Sequence, residues 1–351
     1  SGNFRLAQSP KPFLYNFTAE ANSIDPQEVI TLFLKKPIPL FTTATGKLYI
    51  NGIGKTFTVT GPVTVGEGSL YGERFTKGRV LLAINEKEVQ LRNVFLEKGG
   101  AAFRGGIAHP AASASRMTAE GEGEISYQGD YRIAVKTSPL SLDKVDLFRS
   151  FQPAEAGPVY DAVVPVPDVL PNVSGEMTLS VEGKGSFKKP ELKAIAAFEN
   201  LQYKEASMDS GTVDVNWHNE NVTIVSSFPK KNFSLTAKIG SNKPYPFSFK
   251  AHSASLPMHP FFPKKWLLMS GFSTLSLYAG GDISGKGNFE TLQQIDLTGD
   301  LSTLSTTWGD YWLTNDGPIT FSAQKGNFLI EKGSFKGINT DLTLSGRLAP
   351  L

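Results

Sequence analysis

Apolar and polar residues alternate one by one along much of this chain. Between residues 232 and 239, single polar residues separate Phe233, Leu235, Ala237 and Ile239. Successive side chains of a β-strand project to opposite faces, so a period of two is typical of strands with one buried and one solvated face. Short polar segments between the alternating stretches predict the turns of hairpins. The pattern therefore predicts an all-β chain, an antiparallel meander with about six or seven strands in each repeat.

One strand recurs three times, at an interval of 116 residues. Its copies begin at Tyr15, Tyr131 and Phe247. Further along, each copy is followed by a strand that ends in a glycine pair and then an aromatic residue: Gly52, Gly54 and Phe57; Gly183, Gly185 and Phe187; Gly285, Gly287 and Phe289. A repeat of about 116 residues is a structural unit that stacks on its neighbours.

The repeat predicts the domain organisation. Residues 1–12 form a lead-in, in which Ser1-Gly2 resembles the remnant of a cleaved tag. Residues 13–129, 130–245 and 246–351 form three units, the last one truncated, that belong to one continuous sheet rather than to separate domains. We expect the chain to be a piece of a longer protein.

Short helices and loops are predicted between the strands. Asp25 can cap a helix that begins at Pro26, and Ser141 can cap a helix over Leu142–Phe151. The proline-rich and alanine-rich stretch Gln152–Pro171 predicts a surface loop.

The apolar faces of the strands must be covered, and the few short helices cannot cover so many strands. Two folds remain open: a sandwich or barrel with a dry core, and a trough lined with apolar side chains that binds a ligand or partner. Periodicity alone does not separate them. Under the second fold, the candidate residues that line a lipid groove are Tyr15, Phe17, Val80, Leu82, Ile84, Ile133, Val135, Leu179, Val181, Val213, Val215, Phe233, Leu235, Phe247, Phe249, Leu277, Ile319 and Phe321.

The order of elements in each unit resembles the repeats of the AsmA/TamB-like proteins. A short helix or loop is followed by a strand with a glycine pair and an aromatic residue, and then by an aromatic-glycine turn and a further strand. The matching stretches are Gly46 to Phe57, Leu201 to Trp217, Trp308 to Phe321 and Val89 to Gly100. The resemblance extends over nearly the whole chain but includes no catalytic signature.

This resemblance implies an elongated, twisted antiparallel sheet that curls into an apolar groove. It further implies a bridge-like protein in the periplasm of a diderm bacterium, which carries phospholipid or another acyl-chain lipid between the inner and outer membranes. Membrane proteins would meet the parent chain at either end, and a segment outside this sequence would anchor it in the inner membrane.

The composition of the chain excludes some classes of function. Hydrophobic residues make up 40% of the chain and charged residues only 19%, with a net charge of +2, so no basic surface for nucleic acid is expected. There is no cysteine, which excludes disulfides and thiolate metal sites. No apolar run approaches the ~18 residues of a membrane-spanning helix.

Chemical motifs give little support for an enzyme. Gly54-Lys55-Thr56 resembles the end of a phosphate-binding loop, but Tyr49 stands where that loop needs glycine and a strand follows. The four histidines have no metal-binding spacing and are expected to be solvated. We predict no enzyme, no cofactor and no metal. The alternatives left open are a structural or adhesive β-repeat protein with a dry sandwich core, and a carbohydrate-active enzyme with a carboxylate pair across strands.

Overall fold

The computed structural model describes residues 2–4, 13–28, 31, 39–99, 103–104, 107–108, 117–145, 173–203, 206–258, 275–324 and 327–348. The chain is all-β with antiparallel strand pairing, so this part of the prediction is confirmed. The predicted loop Gln152–Pro171 lies outside the described residues.

The strands of the first half are β1 (Gly2–Phe4), β2 (Leu14–Ile24), β3 (Leu40–Phe41), β4 (Ala44–Ile53), β5 (Thr56–Val65), β6 (Gly68–Leu70), β7 (Glu73–Phe75), β8 (Lys77–Asn85), β9 (Glu88–Lys98), β10 (Phe103–Arg104), β11 (Ile107–Ala108), β12 (Met117–Ser126), β13 (Asp130–Thr137), β14 (Leu140–Ser141) and β15 (Val173–Ser186). Those of the second half are β16 (Lys189–Tyr203), β17 (Ala206–His218), β18 (Asn221–Phe228), β19 (Phe233–Gly240), β20 (Pro246–Pro257), β21 (Ser276–Asn288), β22 (Asp296–Trp308), β23 (Tyr311–Asn315), β24 (Ile319–Gln324), β25 (Asn327–Gly337) and β26 (Thr340–Leu348).

The chain divides into two compact units. Unit 1 comprises residues 1–171 and 176–194, and unit 2 comprises residues 172–175 and 195–351. In unit 1 each strand of the series β1, β2, β4, β5, β8, β9, β12, β13 and β15 pairs antiparallel with the next. In unit 2 the corresponding series is β17, β18, β19, β20, β21, β22, β24, β25 and β26. Both are meanders in which chain order and sheet order agree.

The connections contain little helix. Pro26–Glu28 and Thr31 are helical, and the Asp25 carboxylate accepts a hydrogen bond from the Gln27 amide at 2.8 Å, as its predicted capping role requires. The helix predicted over Leu142–Phe151 does not begin as expected, because a 3-10 turn spans Leu142–Lys144 and Val145 is extended. Residues 146–151 of the predicted helix lie outside the described residues. The Ser141 hydroxyl bonds to the Asp143 carboxylate instead of capping a helix. Leu142 and Val145 are both buried, which favours this turn.

The three copies of the recurring strand pair in the same way. Tyr15 lies opposite Gly52, Tyr131 opposite Gly185, and Phe247 opposite Gly287. Phe187 stacks on Tyr131 with ring centroids 5.4 Å apart, and Phe289 packs on Phe247 at 4.8 Å. The division into three repeat units stays a prediction.

Five strands, β2, β9, β20, β22 and β25, contain β-bulges, each of which inserts one extra residue against the neighbouring strand. A single inserted residue would turn all later side chains to the opposite face. In β9 the apolar residues Val89, Leu91, Val94 and Leu96 change their spacing from two to three at the bulge. The sequence therefore compensates for the insertion and keeps these side chains on one face.

In both units, glycines on the apolar side of a strand leave room for aromatic rings from the neighbouring strand. A Cβ atom at Gly52 would lie 2.2 Å from Cζ of Tyr15, and one at Gly299 would lie 2.4 Å from Cε1 of Phe321. Both approaches are far shorter than any non-bonded contact. The aromatic ring of one strand therefore occupies the space that a side chain of the next strand would need.

We predict that Gly299→Ala destabilises unit 2 by about 1–3 kcal/mol, because the new methyl group collides with the Phe321 ring. The three atoms nearest to the built Cβ all belong to that ring. In the double variant Gly299→Ala/Phe321→Leu, the total cost should be clearly smaller than the sum of the single variants. Urea unfolding followed by circular dichroism measures each free energy.

Gly123→Ala is the matched control. Gly123 also lies on an apolar sheet face, but its built Cβ has no neighbour closer than 3.8 Å. We expect this variant to stay within about 0.5 kcal/mol of the parent protein. Additive costs at positions 299 and 321 would contradict the packing described here.

Candidate functional site

The register of unit 1 places most of its apolar positions on one side of the sheet. Residues directly opposite each other in an antiparallel pair project from the same face. One such row crosses eight strands, from β2 to β15: Phe17, Ile50, Val59, Ile84, Val89, Ile125, Tyr131 and Gly185. We call the face that contains this row the apolar face of unit 1.

The neighbouring row of unit 1 projects from the opposite side, the polar face. It consists of Thr18, Tyr49, Thr60, Ala83, Gln90, Glu124, Arg132 and Lys184. Hydroxyl, amide and charged groups predominate here, whereas the apolar face consists of alkyl groups, rings and glycines. The sheet of unit 1 is therefore amphipathic across its whole width.

Unit 2 has the same organisation. A row of its apolar face consists of Val215, Ile224, Ala237, Phe249, Gly285, Leu297, Ala323 and Phe328. The next row, on the polar face, consists of Asp214, Val225, Thr236, Lys250, Ser284, Thr298, Ser322 and Leu329. Each unit thus presents one apolar and one largely polar surface.

The structure places all eighteen predicted groove residues on these apolar faces, nine in each unit. Seventeen follow directly from regular ladders or from their parity along one strand. Leu277 lies beyond the bulge of β22, but its row through Thr306, Leu313 and Gly337 joins the same face at β25.

Burial on the apolar faces is incomplete. Ile84 and Ile319 are buried, with 9% and 4% of their surface exposed, while the other sixteen predicted residues are only half-buried. A side chain in a dry core would be almost fully buried. Within each unit, most of the apolar face therefore keeps surface that a ligand could cover.

The well-packed part of unit 1 lies at one end of its strands. Ala44, Met117 and Met177 are buried to 3%, 3% and 8% exposure, and they stand near the starts of β4, β12 and β15. These strands run in the same direction, so the three residues share one end of the sheet. At the other end Phe187 is 63% exposed. Several of the most buried apolar residues of unit 1 therefore lie at one end of the strands, although Ile84, near the other end, is buried as well.

Two carboxylates approach each other on the polar face of unit 1. Glu124 on β12 hydrogen-bonds to Glu88 on β9, and this contact, the charge of Glu88 and slight desolvation raise the pKa of Glu124. Arg132 and Arg92 oppose the shift. Glu124 is half-buried on the polar face and has the charged neighbours Arg132 and Arg92, so the interaction marks a charged outer surface rather than a catalytic dyad.

A histidine on the polar face of unit 2 has partners that the sequence did not indicate. Nδ1 of His252 lies 2.9 Å from Oδ1 of Asp282, and Nε2 lies 3.4 Å from Nδ2 of Asn232. Ser234 is the direct cross-strand neighbour of His252. However, the Asn232 amide occupies the ring nitrogen that a serine nucleophile would need, so this row is a polar ladder rather than a catalytic triad.

The remaining motifs have structural explanations. Gly54 has a φ of 61° in the tight turn between β4 and β5, so Gly54-Lys55-Thr56 forms a hairpin rather than a phosphate-binding loop. In the described ranges, no cluster of His, Asp or Glu side chains is placed to hold a metal ion. The same ranges contain no helix long and apolar enough to cross a membrane.

We compared the chain with protein-family models, curated proteins and solved structures, and none of them matches it. The resemblance to AsmA/TamB-like repeats therefore stays a prediction from the sequence. What can be argued about function comes from the geometry of the two faces.

The Glu88–Glu124 contact predicts a pH effect. A carboxyl pKa that is raised in the folded state stabilises the fold at low pH, and this contribution disappears as the pH rises through the folded pKa. Glu88→Gln removes the facing charge, so the pKa of Glu124 should fall towards its ordinary value of 4.5. Two-dimensional NMR titration of the carboxyl carbons measures this directly.

The stability of the Glu88→Gln variant should exceed that of the parent protein above the raised pKa, and the difference should shrink in acid. Glu182→Gln removes the same charge from β15 and should leave the Glu124 titration in place. An unchanged Glu124 pKa in Glu88→Gln would show that the two carboxylates do not interact.

Proposed function

We propose that the chain is a non-enzymatic lipid carrier whose apolar faces bind the acyl chains of phospholipids or other lipids. One observation supports this most strongly: rows of alkyl and aromatic side chains, interspersed with glycines, cross each unit, and most of these side chains are only half-buried. A surface of this kind binds hydrocarbon through contact area and needs no directed contact.

The energetics suit an acyl chain. Burial of apolar surface contributes roughly 25 cal/mol per Å², or about 0.8 kcal/mol for each methylene group. A chain of several methylenes laid along one row therefore gains several kcal/mol, distributed over many residues. No single residue dominates, so a lipid can shift between neighbouring positions at little cost.

The polar face supports the same proposal, because it can stay in water while the opposite face holds hydrocarbon. Exposed ion pairs such as Lys47–Glu20 and Lys230–Asp209 lie outside the apolar rows. Taken with the sequence resemblance, this favours transfer of phospholipid between the inner and outer membranes of a diderm bacterium. In that setting, the parent chain would meet membrane proteins at its ends.

The alternative is a structural or adhesive repeat protein with a dry core. The full burial of Ile84 and Ile319 favours it locally. It requires that the half-buried majority of the apolar faces be covered by protein, so that no lipid is held.

The experiment compares aspartate substitutions at two adjacent residues of β8. Leu82 lies on the apolar face and is half-buried, whereas Ala83 lies opposite Thr60 on the polar face. The purified protein is analysed by native mass spectrometry with lipid extraction. Burial of one leucine contributes about 1.5–3 kcal/mol, so we expect Leu82→Asp to lower lipid occupancy by roughly tenfold or more. Ala83→Asp should retain the bound lipid.

Circular dichroism serves as the folding control for both variants. A folded Leu82→Asp protein without lipid, beside a lipid-loaded Ala83→Asp protein, is the expected result. A parent protein that carries no lipid and takes up no fluorescent phospholipid would contradict the proposal and favour the dry core, as would unfolding of Leu82→Asp.

A further inference from the structure

The polar face of unit 1 contains a depression that the lipid proposal does not use. It has a volume of about 580 Å³ and extends over β5, β8, β9 and β12. A second hollow of about 500 Å³ shares Thr64, Arg79 and Phe95 with it. The residues of the polar face that line the larger hollow include Pro62, Leu81 and Glu120, and the lining also includes Val63, Val80, Val94 and Gly121, which belong to the apolar face.

A bulge in β9 accounts for the depression. The register of β9 shifts by one residue against both β8 and β12, and Asn93 adopts a left-handed conformation with a φ of 51°. Bulges of this kind bend a strand, increase its twist and redirect side chains. Asn93 lies in the lining itself, so the irregular backbone and the hollow coincide.

A row of direct cross-strand partners crosses the hollow: Thr64, Arg79, Phe95 and Glu120. The guanidinium carbon of Arg79 lies 5.0 Å from the centroid of the Phe95 ring. This cation–π contact orients the guanidinium plane and leaves its N–H groups available for hydrogen bonds. Arg79 is therefore a pre-oriented donor within the lining.

Arg79 has no acidic side chain directly opposite it on either neighbouring strand. Lys77 pairs with Glu97 at 3.5 Å, and Glu120 lies opposite Lys136 on β13. The cross-strand partners of Arg79 are Thr64 and Phe95, neither of which is charged. The wall beside it is apolar, with Pro62 and the 39% exposed Leu81.

We propose that this depression is a binding site for an organic anion that combines a carboxylate or phosphate group with a flat apolar body. The guanidinium of Arg79 bonds the anionic group, because arginine presents a planar fork that fits carboxylate and phosphate oxygens. The apolar body lies against Phe95, Leu81 and Pro62. The groups that would contact the ligand, Arg79, Phe95 and Leu81, lie on the opposite side of the sheet from the proposed lipid surface, although the groove residue Val80 is also part of the lining.

Isothermal titration calorimetry on the full chain tests the site with four probes: 2-naphthoate, phenyl phosphate, inorganic phosphate and naphthalene-2-methanol. The first two combine a ring with an anion, whereas each of the others has only one feature. We expect saturable binding of a ring-bearing anion, and the tighter of 2-naphthoate and phenyl phosphate identifies the preferred anionic group. The single-feature probes should bind at least about tenfold more weakly.

Three variants locate the binding. Arg79→Gln should weaken the binding of the ring-bearing anion by about tenfold or more, because the charged guanidinium is lost. Arg132→Gln removes the same charge from the polar face outside the hollow, and Leu82→Asp alters the proposed lipid face. Both should bind the probe like the parent protein.

Several results would overturn the proposal: no saturable binding of either ring-bearing anion, parent-like binding by Arg79→Gln, or equal affinity for inorganic phosphate and phenyl phosphate. Loss of binding in Leu82→Asp with retention in Arg79→Gln would place the probe on the apolar face and would equally contradict the site. Failure here leaves the lipid proposal intact, because the two faces are tested by different variants.

Discussion

The strand register is the constraint on which the rest of this structure depends. Side chains alternate strictly along a strand, so each apolar row exists only while every neighbouring strand keeps its phase. From Phe17 to Gly185 this phase is preserved across eight strands. Five bulged strands each insert a residue, and in β9 the apolar spacing of Leu91 and Val94 changes to absorb it. The apolar faces are therefore maintained by matched irregularities in backbone and sequence.

Glycine and aromatic residues contribute to the same surface. Where a ring such as Phe321 leans over the adjacent strand, Gly299 provides the space for it. These contacts hold neighbouring strands in register without filling the region above the sheet. The result is a surface that is ordered by contacts within the sheet and still accessible to hydrocarbon, which a carrier of flexible acyl chains requires.

Alternation in the sequence was enough to predict the all-β fold. It also predicted that Tyr15 and Val181 share a face of unit 1, and that Val213 and Phe321 share a face of unit 2. It could not decide between a sandwich and a trough, because both place the same residues on one side. The helix predicted from Leu142 does not start there because the burial of Leu142 and Val145 outweighs their helical spacing, and a 3-10 turn over Leu142–Lys144 leads into an extended Val145. The bulges do have a sequence signal, the change in apolar spacing from two to three, as between Leu91 and Val94 in β9. The contact between Arg79 and Phe95 had none, since it depends on the register of two strands.

Site-specific photo-crosslinking along β13 can determine whether the apolar faces hold lipid. A photoreactive amino acid is placed in turn at residues 132 to 136 of the protein reconstituted with phospholipid. Ile133 and Val135 lie on the apolar face, while Arg132, Ala134 and Lys136 lie on the polar face. The account predicts lipid adducts at positions 133 and 135 and little or none at the other three. Adducts at all five positions, or at none, would contradict it.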